Sequence, residues 1–312
     1  MSLKILVTGG GGYIGSILVP DLLNAGHEVT VLDNFVYKQS SLNHLCINPN
    51  LNIVKSDVRI EENIKENIKK ADIIIPLAAL VGAPLCSINP VGARTINYDA
   101  IISMLKAASP SQLILMPTTN SAYGTGEKNN FCDESSPLKP ISQYASEKVE
   151  IEERLMTRGN AVSFRLATVF GMSPRMRLDL LVNDFVNRAI HDKFIVLFES
   201  HFKRNYIHVR DVSRAFMFAI EKQDIMSGEI YNVGLSKANL SKKELCDEIK
   251  KIIPDFLYLD APIGKDKDQR NYIVSNKKIE KIGFETQYSL KDGIVELKKG
   301  LTFLRNNNHS NV

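Results

Sequence analysis

The sequence predicts an α/β fold, a doubly wound parallel sheet with a smaller, partly interleaved C-terminal domain. Three observations predict it. Short runs rich in Ile, Val and Leu alternate with segments of helical spacing through the first half of the chain. A glycine-rich loop stands between the first such run and the first helical segment. The alternation then loosens after about residue 170. Short buried strands alternating with helices form βαβ units. Right-handed crossovers wind those units into a sheet with helices on both faces.

In chain order, residues 4–8, 28–33, 52–55, 72–76 and 112–116 are the expected strands, and 13–25 and 61–70 are expected helices. Residues 171–177 contain Gly and Pro and read as a loop. A helix is expected over 179–191, strands over 194–197 and 205–209, and a helix over 209–221. Shorter elements come after these at 241–252, 275–281 and 289–304. The dinucleotide-type domain is therefore placed over 1–170, with about 205–233 returning to it, and the smaller domain over 171–312. The polar end, 306–312, is expected to fray.

Of the 312 residues, 44% are hydrophobic and 24% charged, an ordinary globular composition. A net charge of +4 is small for this size and does not argue for nucleic acid, whose binding usually needs a concentrated basic stripe. No apolar run reaches the roughly 18 residues that span a bilayer. Met1-Ser2-Leu3-Lys4-Ile5 runs directly into a strand without a leader pattern, and a cytoplasmic protein is expected. Cys46, Cys86, Cys132 and Cys246 show no CxxC spacing, which fits reduced thiols and no metal site.

The loop Thr8-Gly9-Gly10-Gly11-Gly12-Tyr13-Ile14-Gly15 carries glycines at 9, 12 and 15. Gly9 permits a tight turn, Gly12 lets backbone approach a pyrophosphate, and Gly15 lets helix and strand pack closely. The helix behind the loop presents free N–H groups and a positive dipole end to phosphate. Asp33 closes the second strand, 18 residues past Gly15. An acid there accepts hydrogen bonds from the adenosine ribose and repels a 2′-phosphate, which favours NAD over NADP.

Tyr144 and Lys148 form a Y-x-x-x-K pair, on one face if helical. Tyrosine near pKa 10 is a poor base at neutral pH. A neighbouring ammonium is expected to lower that pKa by roughly 1–3 units. The phenolate could then take a proton from a substrate hydroxyl.

With Met116-Pro117-Thr118-Thr119-Asn120-Ser121-Ala122-Tyr123-Gly124 ahead of that pair, the sequence resembles the extended short-chain dehydrogenase/reductases, the NAD-dependent epimerase/dehydratase family. The resemblance covers nearly the whole chain. It includes Asp57-Val58, Leu77-Ala78-Ala79, Asn97, 164–171 and 204–212. It implies a Rossmann fold, bound NAD, a nucleotide-sugar substrate and commonly a homodimer, paired through about 92–107 and the helix of Tyr144. By the same resemblance Thr119, Tyr144 and Lys148 are the catalytic residues. Gly9, Gly12, Tyr13, Ile14, Gly15, Asp33, Asn34, Asp57, Val58, Leu77, Ala78, Ala79 and Asn97, with Tyr144 and Lys148, would hold the cofactor. Val81, Asn120, Ser121, Thr168, Arg175, Arg177, Asn183, Arg204 and Arg270 would hold the substrate, the arginines suiting diphosphate oxygens.

Family dehydratases carry Asp and Glu directly after the catalytic Thr, and 3,5-epimerases carry a cysteine near by. Asn120, Ser121 and Ala122 stand here instead. That leaves hydride transfer at one carbinol, by family analogy C4, as a dehydrogenase or a 4-epimerase. Segments 77–86, 164–170 and 173–185 look like the GDP-D-glycero-α-D-manno-heptose 4-dehydrogenase branch, which serves capsule heptose synthesis, so net oxidation of that GDP-heptose is the expected reaction. A nucleotide-sugar 4-epimerase is the alternative. A non-catalytic dinucleotide sensor is a remote one, because such proteins usually lose the Tyr, Lys or Ser/Thr retained here.

Overall fold

Seven strands of the alternating region join one parallel sheet. In the computed structural model, which describes residues 2–125, 131–262, 264 and 270–304, they are β1 (Lys4–Thr8), β2 (Glu28–Asp33), β3 (Leu51–Lys55), β4 (Ile73–Pro76), β5 (Leu113–Thr119), β6 (Ala161–Leu166) and β7 (Glu229–Val233). Their order is β3-β2-β1-β4-β5-β6-β7. Every neighbouring pair is parallel, for example Val7 beside Val31 and Ile75, and Thr119 beside Leu166. The direction of winding reverses after β3, so β4 lies on the other side of β1. The carboxyl ends of β1 and β4 therefore border a crevice at the switch point, where open α/β sheets bind ligands.

Side chains alternate across this sheet, and each face has its own core. Ile5, Val7, Val31, Ile75, Leu115 and Phe164 pack against the helices Gly15–Asn24 and Val209–Glu221. Leu6, Leu32, Ile74, Ile114 and Met116 pack against Glu61–Ile68, Ala100–Ala107 and Gln143–Arg158. Each such buried side chain contributes about 1.5–3 kcal/mol relative to exposure. A third cluster, including Phe170, Val182, Phe185, Tyr206, Leu245 and Leu297, lies under the later elements.

Several boundaries shift for local reasons. The first helix begins at Gly15 rather than 13, because Gly9 takes φ +70° and residues 9–14 form the turn. β5 runs on to Thr119, which puts the catalytic motif at a strand end. The helix expected at 179–191 runs Leu181–His191, and the shorter elements expected at 241–252 and 289–304 are the helices Lys242–Ile252 and Leu290–Leu301, both behind capping boxes at Ser241 and Ser289. The strand expected at 205–209 is Lys203–His208. It pairs with Thr168–Phe170 and Asn239–Ser241 in a small sheet the sequence did not reveal. Leu257–Asp260 pairs with Phe194–Leu197, and Ile273–Val274 with Phe131–Cys132. Ile279 and Phe284 join the core on one face of the large sheet, so the last third of the chain crosses back to it. The end expected to fray, 306–312, lies outside the described residues. Among the described residues no helix is long and apolar enough to cross a membrane.

Candidate functional site

The loop after β1 is built around two glycines, Gly9 and Gly15, that leave no room for a side chain. A Cβ on Gly9 would lie 2.5 Å from the Ala78 nitrogen, and one on Gly15 would lie 2.5 Å from the Gly10 carbonyl oxygen. A Cβ on Gly12 would meet only the Gly9 oxygen, at 3.1 Å, so that side of the loop opens outward. Among the described residues no side chain caps the helix behind it, whose N-cap is Ile14. An anion can occupy such a helix start.

Asp33 sits beside this loop. Its carboxylate accepts from the Gly11 N–H at 3.0 Å and the Phe35 N–H at 2.8 Å. Burial raises its pKa, and these bonds work against that rise. Asn34, on the surface, donates to Asp57 at 3.3 Å. Arg59 grips the Asp57 carboxylate through two side-chain bonds of 2.8 Å and holds its pKa down to about 2. Val58 packs against the core of that face.

Leu77, Ala78 and Ala79 leave β4 half-buried beside the loop, and the Leu77 N–H donates to the Thr8 oxygen at 2.9 Å. Asn97 shapes the turn after them. It lies in a π-helical turn of its own, Thr95–Asp99. Its amide accepts from the Leu80 N–H at 2.8 Å and donates to the Leu80 oxygen at 2.9 Å. The sequence points this side chain at the cofactor. In the structure it is 1% exposed and spends those bonds fixing the turn that presents Val81.

Thr119 ends β5 and caps the short helix Asn120–Tyr123. Its hydroxyl accepts from the Ser121 N–H at 3.0 Å and donates to Ser121 Oγ at 2.9 Å. Arg270 Nη1 donates to the same Ser121 oxygen. Asn120 is fully buried, and among the described residues neither of its amide atoms has a hydrogen-bond partner.

Tyr144 lies in the first turn of Gln143–Arg158, capped by Ser142, with Lys148 one turn on. The expected lowering of the Tyr144 pKa is not found. Burial pushes the phenol up to about 12, opposed by the charges of Arg177 and Arg270. The Lys148 ammonium donates to the Pro117 carbonyl at 3.2 Å rather than to the phenol. Its own burial brings it down to about 8. The two side chains share a helix face, but burial dominates the pKa of each.

The expected substrate residues divide into two groups. Arg177 and Arg270 converge electrostatically on Tyr144. Arg177 is also clamped by Asp179 through its Nε at 3.2 Å and Nη2 at 2.5 Å. Thr168 stands half-buried opposite Tyr206 in the small sheet. Arg204 is 3% exposed, donates to the Lys203 oxygen and lies over the Tyr272 ring. Asn183 is expected on the diphosphate, but it is fully buried. Its amide accepts from Gly171 N–H at 3.0 Å and donates to Tyr13 Oη at 3.2 Å and the Arg177 oxygen at 2.9 Å. Tyr13 in turn donates to the Gly171 oxygen at 2.7 Å. Both therefore tie segment 171–177 to the phosphate loop.

Sequence reasoning missed two further elements. Glu152, below Tyr144 on the same helix, pairs with Arg165 of β6 at 2.6 Å and accepts from Thr118 and Ser163. Both partners are almost fully buried, so this pair locks helix to strand beside Thr119. The i, i+8 spacing of Tyr144 and Glu152 was the only available signal. Tyr37 stacks under the Arg175 guanidinium, 4.4 Å from its ring centre, a contact between distant segments that no local pattern announces.

Residues 5–234 match the model of the NAD dependent epimerase/dehydratase family. A Methanocaldococcus jannaschii protein provisionally named as a UDP-glucose 4-epimerase is 28% identical, over 98% of this chain and 100% of its own. The human dTDP-D-glucose 4,6-dehydratase is 24% identical, over 98% of this chain and 91% of its own. The crystal structure of Thermus thermophilus UDP-glucose 4-epimerase in complex with NAD superimposes with a TM-score of 0.83 at 22% identity, covering 97% of this chain and 100% of that one. At that identity the likeness shows the fold.

Proposed function

Because the chain belongs to the NAD dependent epimerase/dehydratase family, an NAD-using family of nucleotide-sugar enzymes, we propose that it transfers hydride at C4 of a nucleotide-diphosphate sugar, with 4-epimerisation as the net reaction. One observation carries the choice within the family. Asn120 and Ser121 stand directly after Thr119, where a dehydratase needs an acid and a base, and Asn120 is sealed away from solvent. Neither side chain can exchange a proton at neutral pH, so elimination has no catalyst and chemistry stays at one carbon.

Gly9, Gly12, the uncapped helix start and Asp33 fit NAD. When bound, NAD supplies the hydride acceptor. Tyr144 takes the hydroxyl proton, and returns it when the ketone is reduced. Lys148 supplies the positive charge that favours the phenolate, and Thr119 hydrogen-bonds the reacting oxygen once its hydroxyl turns from Ser121. Arg177 and Arg270 lie on the Tyr144 side and suit the diphosphate.

Net oxidation of GDP-D-glycero-α-D-manno-heptose is the second reading, favoured by the resemblance of 77–86, 164–170 and 173–185 to that enzyme branch. The Methanocaldococcus jannaschii relative carries a UDP-glucose 4-epimerase name and favours the first. Incubation with UDP-glucose, UDP-N-acetylglucosamine and the GDP-heptose separates them. Product of unchanged mass and inverted C4 supports epimerisation. A product lighter by two hydrogens, formed only from the GDP-heptose, replaces it by the dehydrogenase. Loss of water from any substrate overturns both.

A further inference from the structure

By sequence, Arg175 groups with the arginines that receive the sugar nucleotide. The structure sets it elsewhere. The backbone that carries it is seated on the phosphate loop: Ser173 Oγ donates to the Tyr13 oxygen at 2.7 Å and lies 2.8 Å from Ser16 Oγ. The Arg175 N–H itself points at Ser16 Oγ, 3.4 Å away, in the first turn of Gly15–Asn24. Its guanidinium crosses to Tyr37, four residues past Asp33, and lies over that ring. The segment under Tyr37 is also folded onto the loop, since Ser41 donates to the Gly11 oxygen at 2.7 Å and Gly11 faces Phe35, Asp33 and Gln39. Arg175 is 5% exposed, and its charge favours the ionised Asp33 carboxylate. A buried guanidinium thus lies over Tyr37 and within electrostatic reach of Asp33, on a segment whose backbone is seated at the start of the helix behind the glycine loop. Arg177, two residues on, is neutralised by Asp179 and acts toward Tyr144.

We propose that Arg175 is a cofactor residue, closing over the adenosine diphosphate half of NAD and pairing with its pyrophosphate, while Arg177 serves the sugar nucleotide. A planar fork matches two phosphate oxygens. The aromatic face of Tyr37 holds that fork in place. Segment 171–177 then joins the two ligand sites: one arginine holds what the enzyme keeps, the other what it turns over. This inference rests on NAD being the cofactor and not on which sugar is the substrate.

The test is binding by the full chain, read from NADH fluorescence with ADP and adenosine as competitors, and from calorimetry with UDP and GDP. Arg175→Met should weaken NADH and ADP by about 10- to 100-fold, as expected for losing hydrogen bonds to a charged group, and leave adenosine, UDP and GDP within about threefold. Arg175→Lys should recover part of the loss, and Tyr37→Leu, which keeps the charge but removes its platform, should weaken ADP in the same direction. Equal losses for ADP and adenosine would mean that Arg175 only shapes the loop, and overturn the proposal. So would a loss for UDP or GDP with ADP unchanged, or no loss for any ligand. Failure of the unaltered protein to bind NADH would instead overturn the cofactor assignment.

Discussion

Replacing Lys148 by Met tests the proposed base most sharply. Tyr144 stands near 12 in the protein alone, so at pH 8 about one phenol in ten thousand is ionised. Closing that gap takes about 5.5 kcal/mol, four times the 1.36 kcal/mol of each pH unit. An ammonium about 4 Å from the phenolate, at an effective dielectric near 20, supplies about 4 kcal/mol, equivalent to about three pH units. Lys148 can do so once it turns from the Pro117 carbonyl, two residues before Thr119, because it shares the helix face of Tyr144. Lys148→Met should therefore slow single-turnover NADH formation by about 10²–10³-fold at pH 8, the larger part of that 4 kcal/mol. The ascending limb of the rate against pH should move upward by about two to three pH units, so the defect shrinks as pH rises. The signs also set the shape of the unaltered profile. Lys148 is a cation below about 8 and neutral above it, so its support for the phenolate fades as pH rises through that value. Lys148→Arg, which keeps its charge, should not show that loss. A Lys148→Met enzyme with an unmoved limb, slowed equally at every pH, would refute the reasoning.

The same geometry sets other expectations. Tyr144→Phe should lose about 10²–10⁴-fold in turnover while binding NADH normally, and near-normal turnover would remove Tyr144 as the base. Arg165→Met strands the Glu152 carboxylate, paired at 2.6 Å and almost fully buried. It should cost about 3–5 kcal/mol and lower the thermal midpoint by about 6–20 °C at roughly 2–4 °C per kcal/mol. A drop under about 2 °C would show that the pair does not hold helix to strand. Asp33→Ser should erode the preference for NAD over NADP by about tenfold or more in paired titrations, since it removes the charge facing the ribose, and an unchanged ratio would refute that role. A homodimer is expected by light scattering at micromolar concentration, and a monomer mass rejects it. Within 92–107, Ile101 and Met104 are buried in the chain's own core and Ile102 and Leu105 pack against it.

What was legible in the sequence is what repeats locally. The five early strands, the glycine loop and the Tyr144–Lys148 spacing each depend on neighbours in the chain, and the structure sets them at adjoining carboxyl ends of β1, β4 and β5. Two-residue strands such as Phe131–Cys132 have no period to detect and exist only because Ile273–Val274 comes to meet them. The π turn at Thr95–Asp99 carries no residue pattern of its own. The Tyr144 pKa was misjudged for a related reason. Spacing shows that Lys148 is near, but burial, which decides the sign, depends on how the whole chain closes over the phenol.

Asn97 and Asn183 sharpen this distinction. Each is an amide at a family position, and each could equally have faced a ligand. The structure has both side chains saturated by the protein, one on the turn after β4 and the other on the segment after Thr168–Phe170. An amide offers two donors and an acceptor at fixed angles, so it can tie an irregular segment at both a carbonyl and an N–H, as no carboxylate can. The turn presenting Val81 and the segment presenting Arg175 and Arg177 lie at the crevice, and each is pinned by one such amide. Asp in place of either asparagine would exchange two donors for lone pairs facing carbonyl oxygens, Leu80 in one case and Arg177 in the other. Asn183→Asp should therefore weaken NADH and sugar-nucleotide binding together, because it frees a segment that reaches both ligands, whereas Asn97→Asp should act through the turn after β4. Binding titrations of the two variants distinguish these outcomes. A loss confined to the sugar nucleotide in Asn183→Asp would return Asn183 to the role of a direct substrate contact.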